Sequence, residues 1–442
     1  MKKALVGIAG LGFLAICCQA QEVLTLDQAV AMALENNRGL RSSALDILKA
    51  QDKLRANWTH QLPSFSVQAL GAQQLQSFDF ILHKGVLGNY AGTGPLPGSD
   101  VHLKSPLEPT ALVIGKVSQP LSSLIRIRRN LDMLRTGVEV AHEQTREDKQ
   151  NVVREVKRLY YTIQQVESSL RSAHETVALY KELGRLTENL VAGEVVLKPE
   201  LLDVQTHLAK AEQSESLLDD QQATAKEQLN QLLGRDVLTA FQVQPVLDDA
   251  GDSMDLEAAR RRALENRPEI RQAKLRETQA EQDLRSKKAE YIPEVAAEFN
   301  TLRFLNYGQF FPTGSNSIGI NVSWEPFDWG RKKHETAEKQ HTVDQARNGQ
   351  QDAINAVLVD VNDKYRRLRQ SQTQLRVARL AQERAVESLR VTGNKFAVQA
   401  VLLKDVLQGQ VSLEQSNSDY QQALLSVWNS RADFERAVGE DQ

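Results

Sequence analysis

The chain carries nearly the same phrase twice, and this repetition limits its architecture more than any other feature. Residues 33–41 read ALENNRGLR, and residues 263–271, at an offset of 230, read ALENRPEIR. The same register aligns Pro63 with Pro293 without a gap. A fixed period of this kind is typical of a repeated structural unit.

A second register, at an offset of 205, extends the repeat towards the end of the chain. It aligns Val152 with Val357 and Leu202 with Leu407. The 442 residues therefore indicate two tandem copies, repeat one over 22–236 and repeat two over 252–442. Because the offset falls by 25, repeat one must hold about 25 extra residues between Pro63 and Val152.

The first twenty residues differ from the rest. Two lysines precede an apolar stretch over 4–17, which predicts a secretory signal peptide over 1–20 rather than a buried core helix. Cys17 and Cys18 lie at its end, so the exported chain would have no thiol for disulfides or metal ligation. Lipidation of one of these cysteines stays an alternative, although Ile16 is bulkier than the residue that usually precedes a lipidated cysteine.

Each copy contains unusually long helical stretches. Residues 121–192 and 327–392 lack proline, and at 1.5 Å per residue each stretch could reach roughly 100 Å. Apolar residues at alternating steps of four and three, from Val152 to Tyr180, predict a seam against a partner helix.

Each long helix is then expected to break and return. The segments GEVVLKP, residues 193–199, and VQAVLLK, residues 398–404, carry the breaks, with glycine expected to supply a positive φ at the first. This predicts two helical hairpins, at about 121–233 and 327–438.

Both hairpin tips are apolar, and we interpret them as docking surfaces for another protein. Burial inside an oligomer would explain an apolar tip equally well. The docking residues predicted on this hypothesis are Gly193, Val196, Leu197, Pro199, Val401 and Leu402, with Leu403 completing the second apolar tip.

The segments between the helices alternate in polarity as strands do. Residues 317–324 read SIGINVSW and residues 294–301 read EVAAEFNT; residues 65–69 and 113–117 alternate more weakly. We expect strand pairs at about 64–119 and 294–325, with the 25 extra residues forming a long loop inside the first pair, on the outer side of the membrane.

Alternation alone does not distinguish a soluble hairpin from a membrane strand. An exported chain with about four strands of eight to ten residues matches the length that a tilted strand needs to cross a bilayer. Four strands cannot close a barrel alone, and open edges are not tolerated in lipid. A trimer would supply twelve strands.

The ordered set of these features resembles the TolC family of outer-membrane efflux and secretion ducts. The resemblance rests on the tandem halves, the phrases ALENN and ALENRPEI, Pro63 and Pro293 at the passage from helix to strand, and VSWEPFDWGRK at the return to helix. It covers essentially the whole exported chain. Two departures are the first return, SQPLSSLIRIRR, which lacks the usual glycine, and Gln399 at the second tip.

The resemblance implies a mainly α protein with a membrane β-barrel. Three chains would form one twelve-stranded barrel in the cell outer membrane of a Gram-negative-type bacterium, in contact with its lipid, and twelve helices would form a long periplasmic tunnel. It also implies a passive exit duct of a tripartite efflux or type I secretion system. The implied partners are a periplasmic adaptor protein and an inner-membrane pump, whose docking opens the duct.

The resemblance also suggests a gate near the hairpin tips. The segment KDVLQ, residues 404–408, matches the stretch that carries gate aspartates in the family: Asp405 matches directly, and Gln408 occupies the second acidic position. Glu200 and Asp203 lie at the aligned positions of repeat one. These residues could line or latch a constriction, or they could be ordinary acids near helix N-termini, which the helix dipole favours.

Other functional classes fare worse. A net charge of −3 gives no reason to expect nucleic acid as a partner. His334 and His341 are seven residues apart, which is not the spacing of a helical zinc pair, and no nucleophile or phosphate-loop motif suggests an enzyme or a cofactor. A periplasmic coiled-coil adaptor should have one hairpin rather than two, and a structural coiled-coil protein should lack the strands. The cargo stays open among drugs, metal ions and polypeptides.

Overall fold

The structure is a computed structural model that describes residues 22–73, 75–77, 79–104, 107–194, 196–245, 255–307, 312–398 and 400–440. The predicted signal peptide with Cys17 and Cys18 lies outside the described residues, as does Gln399 at the second tip.

Helices dominate the described chain, and each copy uses them in the same order. Two short helices come first, and a very long helix and a shorter return helix follow the strands. The helices are α1 Leu26–Asn36, α2 Arg38–Trp58, α3 Leu124–Ala192, α4 Lys198–Leu232, α5 Leu256–Asn266, α6 Pro268–Lys288, α7 Arg331–Ala397 and α8 Leu403–Val438.

Most of the strands lie between the second and third helix of each copy. They are β1 Glu22–Leu24, β2 Ser64–Ala72, β3 Asp79–Leu82, β4 Asn89–Tyr90, β5 Gly94–Pro95, β6 Val101–Lys104, β7 Thr110–Pro120, β8 Phe241–Val243, β9 Glu294–Leu305 and β10 Gly314–Ser323. The predicted fold class, mainly α with long helical hairpins and two tandem repeats, is confirmed.

The chain folds into two compact units. The unit here called the helical unit comprises the described residues of Met1–Ala44, Glu143–Ile270 and Ala353–Gln442. The sheet unit comprises Leu45–His142 and Arg271–Asp352.

The sheet unit is built on four antiparallel strands in the order β10-β9-β7-β2. The central pair joins the two copies, with Val117 opposite Phe299. The outer pairs place Phe65 opposite Val117 and Ile318 opposite Phe299, so these side chains share one face of the sheet.

The long connection inside the first strand pair is more structured than its glycine and proline content suggests. We expected a loop, but β3 pairs with β6, Ile81 lying opposite His102, and β4 pairs with β5. Two His–Asp contacts also connect these strands. His102 Nδ1 of β6 lies 3.2 Å from Asp79 of β3, and His83 Nδ1, just after β3, lies 3.2 Å from Asp100, just before β6. A composition rich in turn residues did not reveal this cross-strand pairing.

The core of the helical unit forms where each copy starts and ends. In repeat one, Ala29 and Ala33 of α1 pack with Val156 and Ile163 of α3 and with Leu229 of α4. In repeat two, α5, α7 and α8 form the equivalent cluster, which contains Ala259, Ala263, Val357, Val361, Ala437 and Val438. Small alanines on α1 and α5 therefore let the short opening helices lie close against the long ones.

The repeated phrase occupies the turn between the two opening helices. In repeat one, the Asn37 side chain accepts a hydrogen bond from the Leu40 amide and donates one to the Leu232 carbonyl at 2.8 Å. In repeat two, Pro268 is the first residue of α6, as its fixed φ favours, and Arg267 donates to the Ala437 carbonyl at 3.2 Å. The turn in each copy thus caps the end of that copy's return helix.

A glycine in the left-handed conformation completes each of these contacts. Gly234 has φ of 72° and Gly439 has φ of 85°. A Cβ at Gly234 would overlap the Asn36 carbonyl oxygen, and a Cβ at Gly439 would lie 3.1 Å from Asn266 Cβ. Both the backbone conformation and the close approach therefore favour glycine.

The first hairpin tip differs from our prediction in which residue takes the left-handed conformation. The positive φ at the end of α3 belongs to Glu194, at 55°, rather than to Gly193. The Gly193 amide donates to the Asn189 carbonyl and continues the helical pattern by one residue, so the left-handed position falls on the next residue.

We expect Gly234→Ala to destabilise the protein by more than about 2 kcal/mol, because a left-handed residue with a side chain costs about 1–2 kcal/mol and the overlap with Asn36 adds to it. Gly439→Ala should cost less. Heating full-length protein while following helical circular dichroism measures both.

Gly349→Ala is the matched control, since Gly349 lies within α7 with nothing within 4 Å of an added Cβ. There the substitution should raise stability by roughly 0.5–1 kcal/mol through helix propensity. A Gly234→Ala protein that melts no lower than wild type would contradict the capping role.

Candidate conduit surfaces

The two faces of the four-stranded sheet differ in chemistry. One face carries Phe65, Val67, Ile318, Ile320 and Val322, all exposed in the single chain. Because side chains alternate along each strand, their neighbours point to the other face. Towards the end of the sheet that joins the helices, Lys116, Glu298, Asn300 and Asn321 occupy this other face, so there one side is suited to lipid and the other to water.

The polar face is organised around one carboxylate. Glu298 of β9 forms an ion pair with Lys116 of β7 at 2.7 Å and accepts a hydrogen bond from Asn321 of β10 at 3.1 Å. Three adjacent strands thus present a connected polar surface.

A cavity of about 780 Å³ lies where this polar face meets the helices. Its lining includes His60, Arg126, Asn130, Glu298 and Asn321. Polar and charged groups of both signs line it, which suits passage of hydrated molecules rather than tight binding of one apolar ligand.

The sheet has two free edges. Within the described residues, β2 and β10 each pair with one strand only, on the inner side of the sheet. Their outward N–H and C=O groups form an unpaired row, which usually calls for another strand.

The hairpin tips expose equivalent leucines. Leu197, just before α4, is 73% exposed, and Leu402, just before α8, is 62% exposed. Gly193 and Pro199 are exposed, while Val196 and Val401 are partly buried. Leu403 departs from the predicted apolar tip because it is buried at 7%.

Leu403 is buried because it belongs to a cluster beneath the tips. It packs with Leu407 of α8, Val204 of α4, and Tyr180 and Leu183 of α3. This cluster brings the start of α8 against the other hairpin and holds the two tips in one unit.

The four gate candidates all lie on the exposed side of this cluster. Glu200 and Asp203 follow the first tip, and Asp405 and Gln408 follow the second. Asp405 accepts a hydrogen bond from the Leu402 amide at 3.0 Å, in the third position of α8. Among the described residues, the other three side chains form no hydrogen bond or ion pair.

Asp405 therefore performs at least a capping role. A carboxylate that accepts from the N-cap amide satisfies one of the donors that the start of a helix leaves unpaired. The hydrogen bond explains Asp405, and the helix dipole favours an acid at the position of Glu200 in the first turn of α4. Asp203 lies beyond that turn and forms no side-chain hydrogen bond within the described residues.

A second cavity, of about 610 Å³, lies among α3, α4 and α8. Tyr180 stacks on His207 with ring centroids 5.6 Å apart. Burial raises the pKa of the Tyr180 hydroxyl, and the nearby negative charge of Glu414 raises it further. The apolar seam predicted that Tyr180 points inwards, but no sequence pattern connects it to Glu414 on α8.

Two further observations concern membranes and metals. Within the described part of the chain, no helix combines the length and apolar character that crossing a membrane requires. Among the same residues, no group of three or more His, Cys, Asp or Glu side chains is arranged to hold a metal ion.

We expect Asp405→Ala to weaken the first turn of α8 by roughly 1 kcal/mol, since the Leu402 amide loses its acceptor. Hydrogen exchange at the Leu402 amide should accelerate about fivefold. Gln408→Ala, one turn further along, should leave that rate unchanged, and equal acceleration in both variants would contradict the capping role.

Known proteins match this chain in sequence over most of its length. The sequence profile described as outer membrane efflux protein matches residues 29–235 and 259–440. An uncharacterised protein of Haemophilus influenzae is 20% identical over 368 residues, which cover 79% of this chain and 72% of that protein.

Solved structures share the fold at low sequence identity. CusC has a TM-score of 0.78 and 17% identity, over 94% of this chain and 92% of that chain. The Campylobacter jejuni CmeC outer membrane channel has a TM-score of 0.76 and 15% identity, over 94% and 85%. The open state of the Neisseria gonorrhoeae MtrE outer membrane channel has a TM-score of 0.73 and 16% identity, over 94% and 89%.

Proposed function

Because the chain belongs to the outer membrane efflux protein family, whose members are channels rather than enzymes, we propose that it forms the passive exit duct of a tripartite efflux or type I secretion system. The observation that carries this proposal is the sheet, with one apolar face, one polar face and two free edges. The duct would lie in the outer membrane and continue into the periplasm.

The strand order supports closure by copies of the same chain. All three pairings in the order β10-β9-β7-β2 are antiparallel, so β10 and β2 run in opposite directions. The β10 edge of one protomer can therefore pair antiparallel with the β2 edge of the next around a closed ring. Closure removes the unpaired edges that lipid does not tolerate.

The chemistry of the polar face favours three copies over two. An eight-stranded barrel is filled by its own side chains, whereas a wider barrel leaves a channel. The Lys116–Glu298 ion pair and the Asn321 side-chain amide are polar groups that water would solvate in a wide lumen. Twelve strands, from a homotrimer, would place this pair at the wall of an aqueous lumen.

The exposed leucines of the tips support docking of a periplasmic adaptor and, with it, an inner-membrane pump. Leu197 and Leu402 are equivalent in the two repeats, so one trimer would present six similar apolar tips. Gly193, Val196, Pro199 and Val401 would complete these contacts.

Near the same tips, three copies of Glu200, Asp203 and Asp405 would place carboxylates around a constriction, with Gln408 as the uncharged member of the set. Close carboxylates repel one another and attract cations. The simpler alternative is that these acids only stabilise the starts of α4 and α8. Asp405 does so through its hydrogen bond with the Leu402 amide.

The lipid-facing role of the apolar face predicts a difference between two adjacent residues of β10. Ile320→Lys should destabilise the membrane-inserted trimer by about 2–4 kcal/mol per chain, because it places a charge on the lipid side. Asn321→Lys, on the polar face, should be tolerated. Cell fractionation and the thermal stability of the detergent-extracted trimer measure the difference, and equal loss in both variants would argue against a barrel.

The gate predicts altered conductance rather than altered assembly. In planar bilayers, the double variant Glu200→Ala/Asp405→Ala should have lower cation selectivity than wild type, because two carboxylates per chain leave the constriction. Gln408→Asp should shift selectivity the other way.

Unchanged conductance and selectivity in all of these channels would leave Glu200 and Asp405 with their roles at the helix starts only. Low ionic strength gives the sharpest comparison, since salt screens the carboxylates.

A further inference from the structure

The helices attach to the sheet at one end of its strands. Ser64, the start of β2, lies opposite Ser118 near the end of β7, and Ser323, the end of β10, lies opposite Glu294, the start of β9. The register between β7 and β9 places Ser118 opposite Glu298, four residues from Glu294, so both pairs lie towards the same end of the sheet. The ends of α2 and α6 and the starts of α3 and α7 therefore surround one end of the sheet, here called the junction band.

The junction band carries an excess of positive charge. Three of its carboxylates form ion pairs: Glu294 with Arg126 at 2.8 Å, Glu290 with Lys287 at 2.7 Å, and Glu325 with Arg331 at 2.5 Å. A fourth, Asp328, accepts hydrogen bonds from the Gly330 and Lys332 amides. Further basic side chains are exposed and form no ion pair with any described carboxylate. They are Lys53, Arg128, Arg129, Lys288 and Lys333.

Helix stability does not explain where these cations lie. The first turns of α3 and α7 contain no acidic residue, yet Arg128 and Arg129 lie in the first two turns of α3 and Lys333 in the first turn of α7. Positive charge near a helix N-terminus opposes the helix dipole. The helix dipole therefore gives no reason for cations at these positions.

Exposed aromatic side chains accompany the cations. Trp58 and Tyr291 lie at or just beyond the ends of α2 and α6, and Trp324, Phe327 and Trp329 lie between β10 and α7. Trp329 is 88% exposed although its φ is 56°, a conformation that disfavours bulky residues. Tryptophan and tyrosine concentrate where a membrane meets water.

Arg128 points away from the cavity on the polar face of the sheet. Arg126 lines the cavity on the polar face, where it pairs with Glu294. Two residues further along an α-helix lie about 200° around its axis, so Arg128 points away from that cavity. In the proposed barrel, whose lumen the polar face would line, the unpaired guanidinium would therefore lie on the outer surface.

We propose that the junction band binds the headgroups of anionic phospholipids in the periplasm-facing leaflet of the outer membrane. This inference rests on the proposed function, which puts the apolar face of the sheet in that membrane. Along the protein surface, the apolar face is followed by exposed aromatic side chains and unpaired cations. A phospholipid has the same order, with acyl chains followed by a negatively charged phosphate headgroup. The aromatic rings occupy the interface and the cations neutralise the phosphates.

The test uses full-length trimer in a neutral detergent, titrated with phosphatidylglycerol or phosphatidylcholine and followed by native mass spectrometry. Wild type should retain phosphatidylglycerol selectively. Arg128→Gln/Lys333→Gln should bind it about 25-fold more weakly, from about fivefold per cation near an anionic surface. Arg369→Gln/Arg384→Gln, which removes two exposed cations without carboxylate partners from the described part of the helical unit, should bind like wild type.

Several outcomes would overturn the inference. They are equal retention of the two lipids by wild type, equal weakening by both double variants, and competition by free inorganic phosphate at the concentration of the lipid. Cell fractionation of wild type comes first: a chain absent from the outer membrane overturns the proposed function and this inference together, whereas a membrane trimer without lipid preference overturns this inference alone.

Discussion

One contact closes each repeat: the turn between the two opening helices caps the carboxyl end of the last helix. Asn37 reaches the Leu232 carbonyl, 195 residues away in sequence, and Arg267 reaches the Ala437 carbonyl, 170 residues away. The last carbonyls of a helix have no partner within it, so a buried end needs such a donor. Because α4 and α8 return from the tips, this one contact also determines where the tips can lie relative to the core of the helical unit.

The two copies make this contact with different chemistry. Asn37 is a neutral amide, whereas Arg267 is 5% exposed and forms ion pairs with Glu269 at 2.8 Å and Asp360 at 3.0 Å. Arg436 joins the same group, and burial lowers its pKa, with the charge of Arg267 adding to the effect. Breaking a buried pair costs about 3–5 kcal/mol when one charge is left alone. Repeat two therefore depends on a complete ionic group where repeat one depends on a single amide.

Sequence patterns correctly predicted the features that depend on a few neighbouring residues, such as helix starts and strands. Pro268 begins α6 because its φ suits a helix start, and the long helices follow the apolar seam and the absence of proline. The alternating strands appear where the period of two indicated them. The period could not show that Asn37 caps a helix 195 residues later, since that contact depends on how the copy folds back on itself.

The errors have the same origin. Leu403 belongs to an apolar tip by sequence, but Tyr180, Leu183 and Val204 from the other hairpin bury it. Glu194 takes the left-handed position because the Gly193 amide still donates to the Asn189 carbonyl, so the left-handed residue comes one position later. The burial of Leu403 depends on contacts with another helix, and the conformation of Glu194 depends on the residue at which α3 ends. A single sequence pattern predicts neither.

Alignment of the repeats separates the acids that helix chemistry requires from those it does not. Glu200 and Asp405 occupy the same third position of α4 and α8, where an acid stabilises any helix start. One turn later repeat one has Asp203 and repeat two has Gln408, and neither forms a side-chain hydrogen bond within the described residues. A trimer would thus carry six carboxylates at the first level but three at the second. Since no capping requirement accounts for Asp203, its exposed carboxylate bears most directly on whether charge lines the proposed constriction.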